Sequence, residues 1–188
     1  MVTLNDIMAL KQEALHTHPY PDVRWPPSPY YRFLALVLKK LNGKLAIELG
    51  ICGGGASLNM AIMNPHAKVI GIDVVKLPQV SGVEQLCPNF TFKLGDSVGL
   101  APTIIAEYGN PDLIFIETDH TYEQTLKEYS AWLPLMRKGG VMCFDDLYRP
   151  GVQRFWGELS GTKTEYRALH ELHIGGEPTD GGFGVAIV

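Results

Sequence analysis

Cysteine is scarce in this chain of 188 residues: Cys52, Cys87 and Cys143 are odd in number, far apart and form no CxxC pair. That set serves neither a disulfide framework nor a structural zinc knuckle, and a reducing, cytoplasmic setting is the simpler expectation. Basic charge is also in short supply. Sixteen Lys and Arg stand against twenty Asp and Glu, a net charge of −4, which leaves no global electrostatic case for nucleic acid or an anionic membrane surface. Charged residues reach only 19% of the chain against 46% hydrophobic. A disordered, highly charged tail is thereby excluded, and there is apolar material for one sizeable core.

No basic cluster precedes an apolar run at the N-terminus, where Asp6 comes early, so a signal peptide is not expected. The longest run free of Asp, Glu, Lys and Arg, residues 49–67, gathers Gly50, Gly53, Gly54, Gly55, two Asn and Pro65. A membrane helix would not carry them at that density. Neither a membrane nor a nucleic acid is expected as a partner, and the chain has no internal repeat.

What the chain does have is alternation. Residues 4–17 read as a short amphipathic helix through Leu4, Ile7, Met8, Leu10 and Leu15, followed by the proline-broken stretches His16-Thr-His-Pro-Tyr-Pro and Trp25-Pro-Pro-Ser-Pro. Residues 1–28 are read as an arm or lid, packed on the body or on a second copy of the chain, and 29–188 as a single domain. Tyr30, Phe33, Leu34, Val37, Leu38 and Leu41 have helical spacing, stopped by Asn42-Gly43. Short apolar runs at 45–49, 69–73, 90–94, 113–117 and 141–145 then alternate with helical segments at 56–63, 83–86, 98–108 and 121–136. In the last of these, Tyr122, Leu126, Tyr129, Leu133 and Met136 mark the inward stripe, and Thr121 with Gln124 forms a capping box. After a helix at 151–159, residues 164–174 and 182–188 read as strands of a hairpin. The fold expected is α/β: a Rossmann-like, doubly wound, mostly parallel seven-stranded sheet with a C-terminal antiparallel hairpin.

In such a sheet ligands bind beyond the carboxyl ends of the strands. Glu48-Leu-Gly50-Ile-Cys-Gly53-Gly54-Gly lets the backbone turn tightly and approach a ligand. The dinucleotide pattern GxGxxG is not met, because Cys52 takes the second glycine's place, and the P-loop lysine is missing. An acid two residues before Gly50 suits a cationic ligand better than a pyrophosphate. Asp73 ends the second strand and can accept both hydroxyls of a ribose; a helix cap is its plainer role. Asp96 and Ser97 follow the third strand, where an adenine amino group could be read, or where Asp96 simply caps the next helix.

These residues carry a resemblance. Glu48-Leu-Gly-Ile-Cys-Gly-Gly-Gly, Ile-Gly-Ile-Asp73 and Leu-Gly-Asp96-Ser97 resemble the cofactor motifs of class I S-adenosylmethionine-dependent methyltransferases. Asp112-Leu-Ile-Phe-Ile-Glu117-Thr-Asp-His120-Thr-Tyr-Glu, with Phe144-Asp145-Asp146-Leu-Tyr-Arg-Pro-Gly-Val, resembles the metal-dependent sugar and small-molecule O-methyltransferases and cephalosporin-hydroxylase-like proteins. The likeness spans residues 44–152. It implies methyl transfer from S-adenosylmethionine to a small-molecule hydroxyl on a sugar, natural product or phenol. Glu48, Gly50, Gly53, Gly54, Asp73, Asp96, Ser97 and Glu117 would bind the cofactor, Glu117, Asp145 and Asp146 a Mg²⁺ ion, and His120 would be the general base. The chain departs from the subgroup in having Glu117 where aspartate is usual, one methylene longer, with Asp119 as a substitute ligand.

Crowded carboxylates repel one another unless a cation neutralises them, and Mg²⁺ suits oxygen ligands. The competing role for Glu117, Asp145 and Asp146 is capping and solvation, and for His120 a place at the start of a helix. Tyr148, Arg149, Phe155 and Trp156 line an acceptor pocket or belong to the core. His16, His18, Tyr20 and Trp25 close over a substrate or pack the arm, and His170 and His173 read as structural. A non-methylating enzyme of the same fold and a non-catalytic cofactor-binding sensor are the alternatives.

Overall fold

The computed structural model describes residues 2–16, 29–166 and 181–188. Seven helices and seven strands are found among them: α1 (Leu4–His16), α2 (Pro29–Lys40), β1 (Leu45–Leu49), α3 (Gly55–Met63), β2 (Lys68–Asp73), α4 (Pro78–Leu86), β3 (Phe90–Leu94), α5 (Ala101–Tyr108), β4 (Leu113–Ile116), α6 (Tyr122–Trp132), β5 (Val141–Phe144), α7 (Pro150–Glu158), β6 (Thr162–Tyr166) and β7 (Phe183–Ile187). The strands form one sheet in the order β3-β2-β1-β4-β5-β7-β6. All neighbours from β3 through β5 are parallel; β7 runs antiparallel to both β5 and β6. The expected C-terminal hairpin is thus present, but it enters the sheet through its second strand. β7 sits between β5 and β6, which points β6 the same way as the first five.

Both faces of the sheet are covered, and the period-two alternation of each strand assigns its side chains to one face or the other. Ala46, Val69, Leu113, Phe115, Val141, Cys143, Phe183 and Val185 face the layer of α2, α3 and α4, where Leu34, Val37, Met60 and Val83 pack. Ile47, Leu49, Ile70, Ile72, Ile114, Ile116, Met142 and Phe144 face α5, α6 and α7 through Ile104, Trp132, Val152 and Phe155. α1 lies on α2 and buries Ile7. The boundary expected at residue 28 falls outside the described residues.

β6 runs over Thr162–Tyr166 where a strand at 164–174 is expected, residues 167–174 lying outside the described ones, and two helices also differ from their sequence reading. α4 begins at Pro78 rather than near residue 83, because Pro78 presets the first helical turn while Val80 and Val83 supply its buried face. In α6 the inward face is Thr125, Glu128 and Trp132; Leu126, expected inside, is 39% exposed. Pro134 ends the regular helix, and Leu133–Leu135 continue as a 3₁₀ turn. At the amino edge of the sheet Asp112 is buried, accepting from the backbone N–H groups of Lys44 (2.6 Å) and Leu45 (3.0 Å) and from Arg137 Nε. At that edge the acid is committed to structural bonds, beside a cavity of about 540 Å³ lined by Asp6, Lys40, Arg137 and Lys138. The carboxyl edge is where the loops open.

Candidate active site

The strand order reverses between β1 and β4, and the loops that follow these two strands make the site. Gly50 leaves β1 with φ +81°, and a Cβ there would sit 2.1 Å from the carbonyl oxygen of Glu117. No other residue fits, so β1 and β4 can part only by this narrow gap. Cys52 follows with φ 44°, and its N–H donates to Asp73 Oδ2 at 3.1 Å, while Asp73 Oδ1 accepts from Val75 N–H at 3.0 Å. The Asp73 carboxylate is thereby braced between the glycine-rich loop and the loop after β2. Because Leu94 pairs with Asp73 in register, Gly95, Asp96 and Ser97 come next beside it. Asp96 Oδ2 accepts from Gly99 N–H at 2.6 Å, capping the turn that leads into α5.

These loops enclose a cavity of about 500 Å³ lined by Gly50, Cys52, Asp73, Asp96, Ser97 and Glu117, with Val74, Gly95, Thr118, Asp119 and Gln124 completing it. Five of the expected cofactor residues, Gly50, Asp73, Asp96, Ser97 and Glu117, are therefore brought together. Gly53, Gly54 and Glu48 do not line the cavity. Gly54 turns the chain into α3 with φ +85°. Glu48 is buried behind the cavity, on the α2–α3 side of β1, where Ser57 Oγ donates to it at 2.5 Å. Burial pushes the Glu48 carboxyl up to about 8, against the hydrogen bonds from Ser57. Thr118 is not singled out by the sequence, and Gln124 only as the capping-box partner of Thr121. Their polar side chains at a strand end and a helix start were the available signal.

The acidic residues gather next to this cavity. Ile116 pairs with Phe144, so Glu117 and Asp145 leave adjacent strands side by side. Burial raises Glu117 well above the usual carboxylate range, and the charges of Asp145, Glu48 and Asp146 add to it. Asp146 has further partners: Arg149 Nε donates to its Oδ2 at 3.1 Å, and His120 Nε2 lies 3.3 Å from the same oxygen. His120 Nε2 is buried without a hydrogen bond. His120 and Asp146 share a further property, since both are non-glycine residues in the left-handed region, at φ 60° and 51°. Gly151 supports the pairing, because a Cβ there would meet His120 O at 2.7 Å and Tyr122 N at 2.5 Å. Such backbone strain collects at sites whose geometry is held by function.

The donor chemistry of Glu117 and Asp145 suits a hard cation, and Mg²⁺ is commonly held by one or two carboxylates with water completing its shell. Among the described residues, however, no three His, Cys, Asp or Glu side chains are grouped as a metal site, and Asp146 is engaged by Arg149 and His120. Phe155 and Trp156 belong to the core, packed tilted and edge-on against Phe144 at ring-centroid distances of 5.4 and 5.8 Å. Tyr148 lies over Gly182. His18, Tyr20, Trp25, His170 and His173 lie outside the described residues, as does the side chain of His16.

A seven-stranded sheet of this order, with a polar cavity at the carboxyl edge beside its switch point, has the architecture of the Rossmann-like methyltransferases. The profile of a methyltransferase-domain family matches residues 47–147, and the chain belongs to that family. It is 33% identical over 129 residues to a probable caffeoyl-CoA O-methyltransferase 3 of Dictyostelium discoideum, a match covering 62% of this chain and 49% of the relative. The chain thus spans about half the length of that relative. Its fold is shared with the O-methyltransferase TomG of Streptomyces achromogenes, solved with S-adenosylmethionine (TM-score 0.68, 19% identity, 100% of this chain and 92% of that one). It is shared as well with the methyltransferase MycE, solved with Mg, S-adenosylhomocysteine and mycinamycin VI (TM-score 0.53, 23% identity, 78% and 39%). Among the described residues no helix is long and apolar enough to cross a membrane.

Proposed function

We propose that the chain moves the methyl group of S-adenosylmethionine to a hydroxyl of a small molecule. The observation that carries this reading is the cavity of about 500 Å³ that joins the obligatory Gly50, the braced carboxylate of Asp73 and the run Gly95-Asp96-Ser97. The fit to a nucleoside with a cationic tail is chemical. The volume is that of a small-ligand site, Asp73 can accept two ribose hydroxyls, and Asp96 can accept from an exocyclic amine. Glu117 stands at the wall where a sulfonium or ammonium group would rest, and a cation resting there would favour its ionised form.

S-adenosylmethionine supplies a methyl carbon activated by positively charged sulfur. The chain's own residues bind, orient and move one proton. His120 takes the proton of the acceptor hydroxyl, and Asp146, 3.3 Å from its Nε2, steadies the imidazolium that forms. The oxygen is then a nucleophile, and the site promotes transfer by positioning and charge neutralisation. Mg²⁺ would be held by Glu117 and Asp145, and bound there it supplies Lewis acidity to the acceptor oxygen. The acceptors to test first are phenols with adjacent oxygens, as in the caffeoyl group named for the Dictyostelium relative, beside sugar hydroxyls as in macrolides.

The test is a calorimetric titration with S-adenosylhomocysteine, with and without Mg²⁺, followed by assay of methyl transfer to those acceptors. Micromolar binding that is weakened at least about tenfold, or 1.4 kcal/mol, in Asp73→Ala supports the site. Absence of binding in both conditions overturns it, and binding without transfer to any hydroxyl would leave a sensor.

A further inference from the structure

α6 carries three charged side chains, Glu123, Lys127 and Glu128, and Glu128 alone is fully buried. Gln124, Glu128 and Trp132 recur every four residues and so share one face of the helix. That face meets the loop after β3. Ser97 Oγ donates to Glu128 Oε1 at 2.5 Å, Gln124 Nε2 to the same oxygen at 3.0 Å, and Thr118 Oγ1 to Oε2 at 2.8 Å. Trp132 Nε1 donates to Ser97 O at 3.1 Å. The three side chains bound to Glu128 come from three different segments, and all three line the cavity.

Burying a carboxylate is costly, and among the described residues no cation forms an ion pair with Glu128; it is satisfied by neutral donors. A leucine would cover the same helix face at lower cost, and Trp132 already ties α6 to Ser97. The extra bonds do something an apolar residue cannot: they fix the orientation of two hydroxyls and an amide on one wall. We propose that Glu128 is a positioning residue of the cofactor site, holding Ser97, Thr118 and Gln124 as the preorganised wall for the adenosine half of S-adenosylmethionine. The inference rests on the methyltransferase reading above. It follows from the sheet, because Gly95-Asp96-Ser97 lie beside Asp73 on the side of β3, so that residues there would hold the base of a nucleoside whose ribose Asp73 held. Glu128 touches no part of the cofactor itself; it acts through the three residues it binds.

The experiment compares affinity with stability. In Glu128→Gln the Kd for S-adenosylhomocysteine is expected to rise about tenfold, 1.4 kcal/mol, and that for adenosine by the same factor. Asp112→Asn, a buried carboxylate at the far edge of the sheet, is expected to lower the unfolding temperature and leave both Kd values unchanged. Thr118→Val removes one of the three bonds and serves as a second, milder variant should Glu128→Gln fail to fold; it too must weaken adenosine binding. The double variant Glu128→Gln/Thr118→Val should lose less than the sum of the single losses, since both act on one arrangement. A lowered unfolding temperature with unchanged Kd in both single variants, or strictly additive losses, would make Glu128 a staple of the fold and overturn the inference while the methyltransferase reading stands. Failure of the unaltered chain to bind S-adenosylhomocysteine would remove both.

Discussion

At the scale of single residues, the site is a set of constraints on backbone and charge. Gly50 is obligatory because β1 and β4 diverge with no room for a Cβ, and that same narrowness brings Glu117 to the cavity wall. Asp146 and His120 face each other from left-handed positions in neighbouring loops. This leads to an expectation for Asp146→Asn, which keeps the shape of the side chain and removes its charge. Turnover should fall at least about a hundredfold, the lower end of what a positioned proton acceptor contributes, while S-adenosylhomocysteine affinity stays as it was. Steady-state kinetics beside a binding titration checks it, and undiminished turnover would take Asp146 out of the reaction. The motif residues Glu117, His120, Asp145 and Asp146 could all be read from the sequence as polar residues at strand ends. What could not be read was the contact that Asp146 makes with His120 and Arg149. That contact depends on loop torsions set by packing.

At the scale of elements, most of the pattern was legible because the central strands β1, β4 and β5 are short apolar runs buried on both faces and most helices are amphipathic. The exceptions share a cause. For α4 the pattern shows only 83–86 as helical, because Pro78-Gln-Val-Ser-Gly looks like a loop, yet Val80 and Val83 find the core and carry the helix. Gly82 remains as a weak point in it, with nothing within 4 Å of where a Cβ would stand. Gly82→Ala should therefore stabilise the protein by about 0.5–1 kcal/mol, the entropic cost of glycine in a helix interior. Denaturant unfolding of the two proteins measures this, and a loss of stability would mean that this face of α4 is covered. In α6 hydrophobicity was a poor guide to the inner face, since Glu128 is buried and Leu126 is partly exposed. A helix face that serves a polar cavity does not follow the apolar stripe.

At the scale of the whole molecule, carboxylates concentrated at one edge couple folding to pH. Glu48 holds its proton up to about 8 in the folded state, against an ordinary value of 4.5. Between those values the folded protein keeps a proton that the unfolded chain releases, so stability declines as pH rises through the window. Burial raises Glu117 and Glu128 in the same direction. Glu48→Gln should accordingly remove part of the decline between pH 5 and 8 and leave the remainder. Thermal unfolding of both proteins across that range is the measurement, and an unchanged slope would mean that Glu48 is ionised in the folded state.

Much of this architecture was determined by the sequence by itself. Alternating buried strands and amphipathic helices can satisfy their backbone bonds and hide their apolar faces only in a layered parallel sheet, and the polar residues that end the strands must then meet at its carboxyl edge. Only the tertiary structure decided which of them work together. β7 was inserted between β5 and β6, Gly53 and Gly54 were assigned to the turn and Glu48 to a buried place behind the cavity, and Asp146 was paired with His120. The loops after β3 and β4 were also gathered, with Gln124 of α6, on the buried Glu128. Those outcomes depend on contacts between residues far apart in the chain, 31 positions for Ser97 and Glu128 and 46 for the paired Val141 and Ile187. Local pattern carries no record of such contacts, because they are set by how the packed layers bring the loops together.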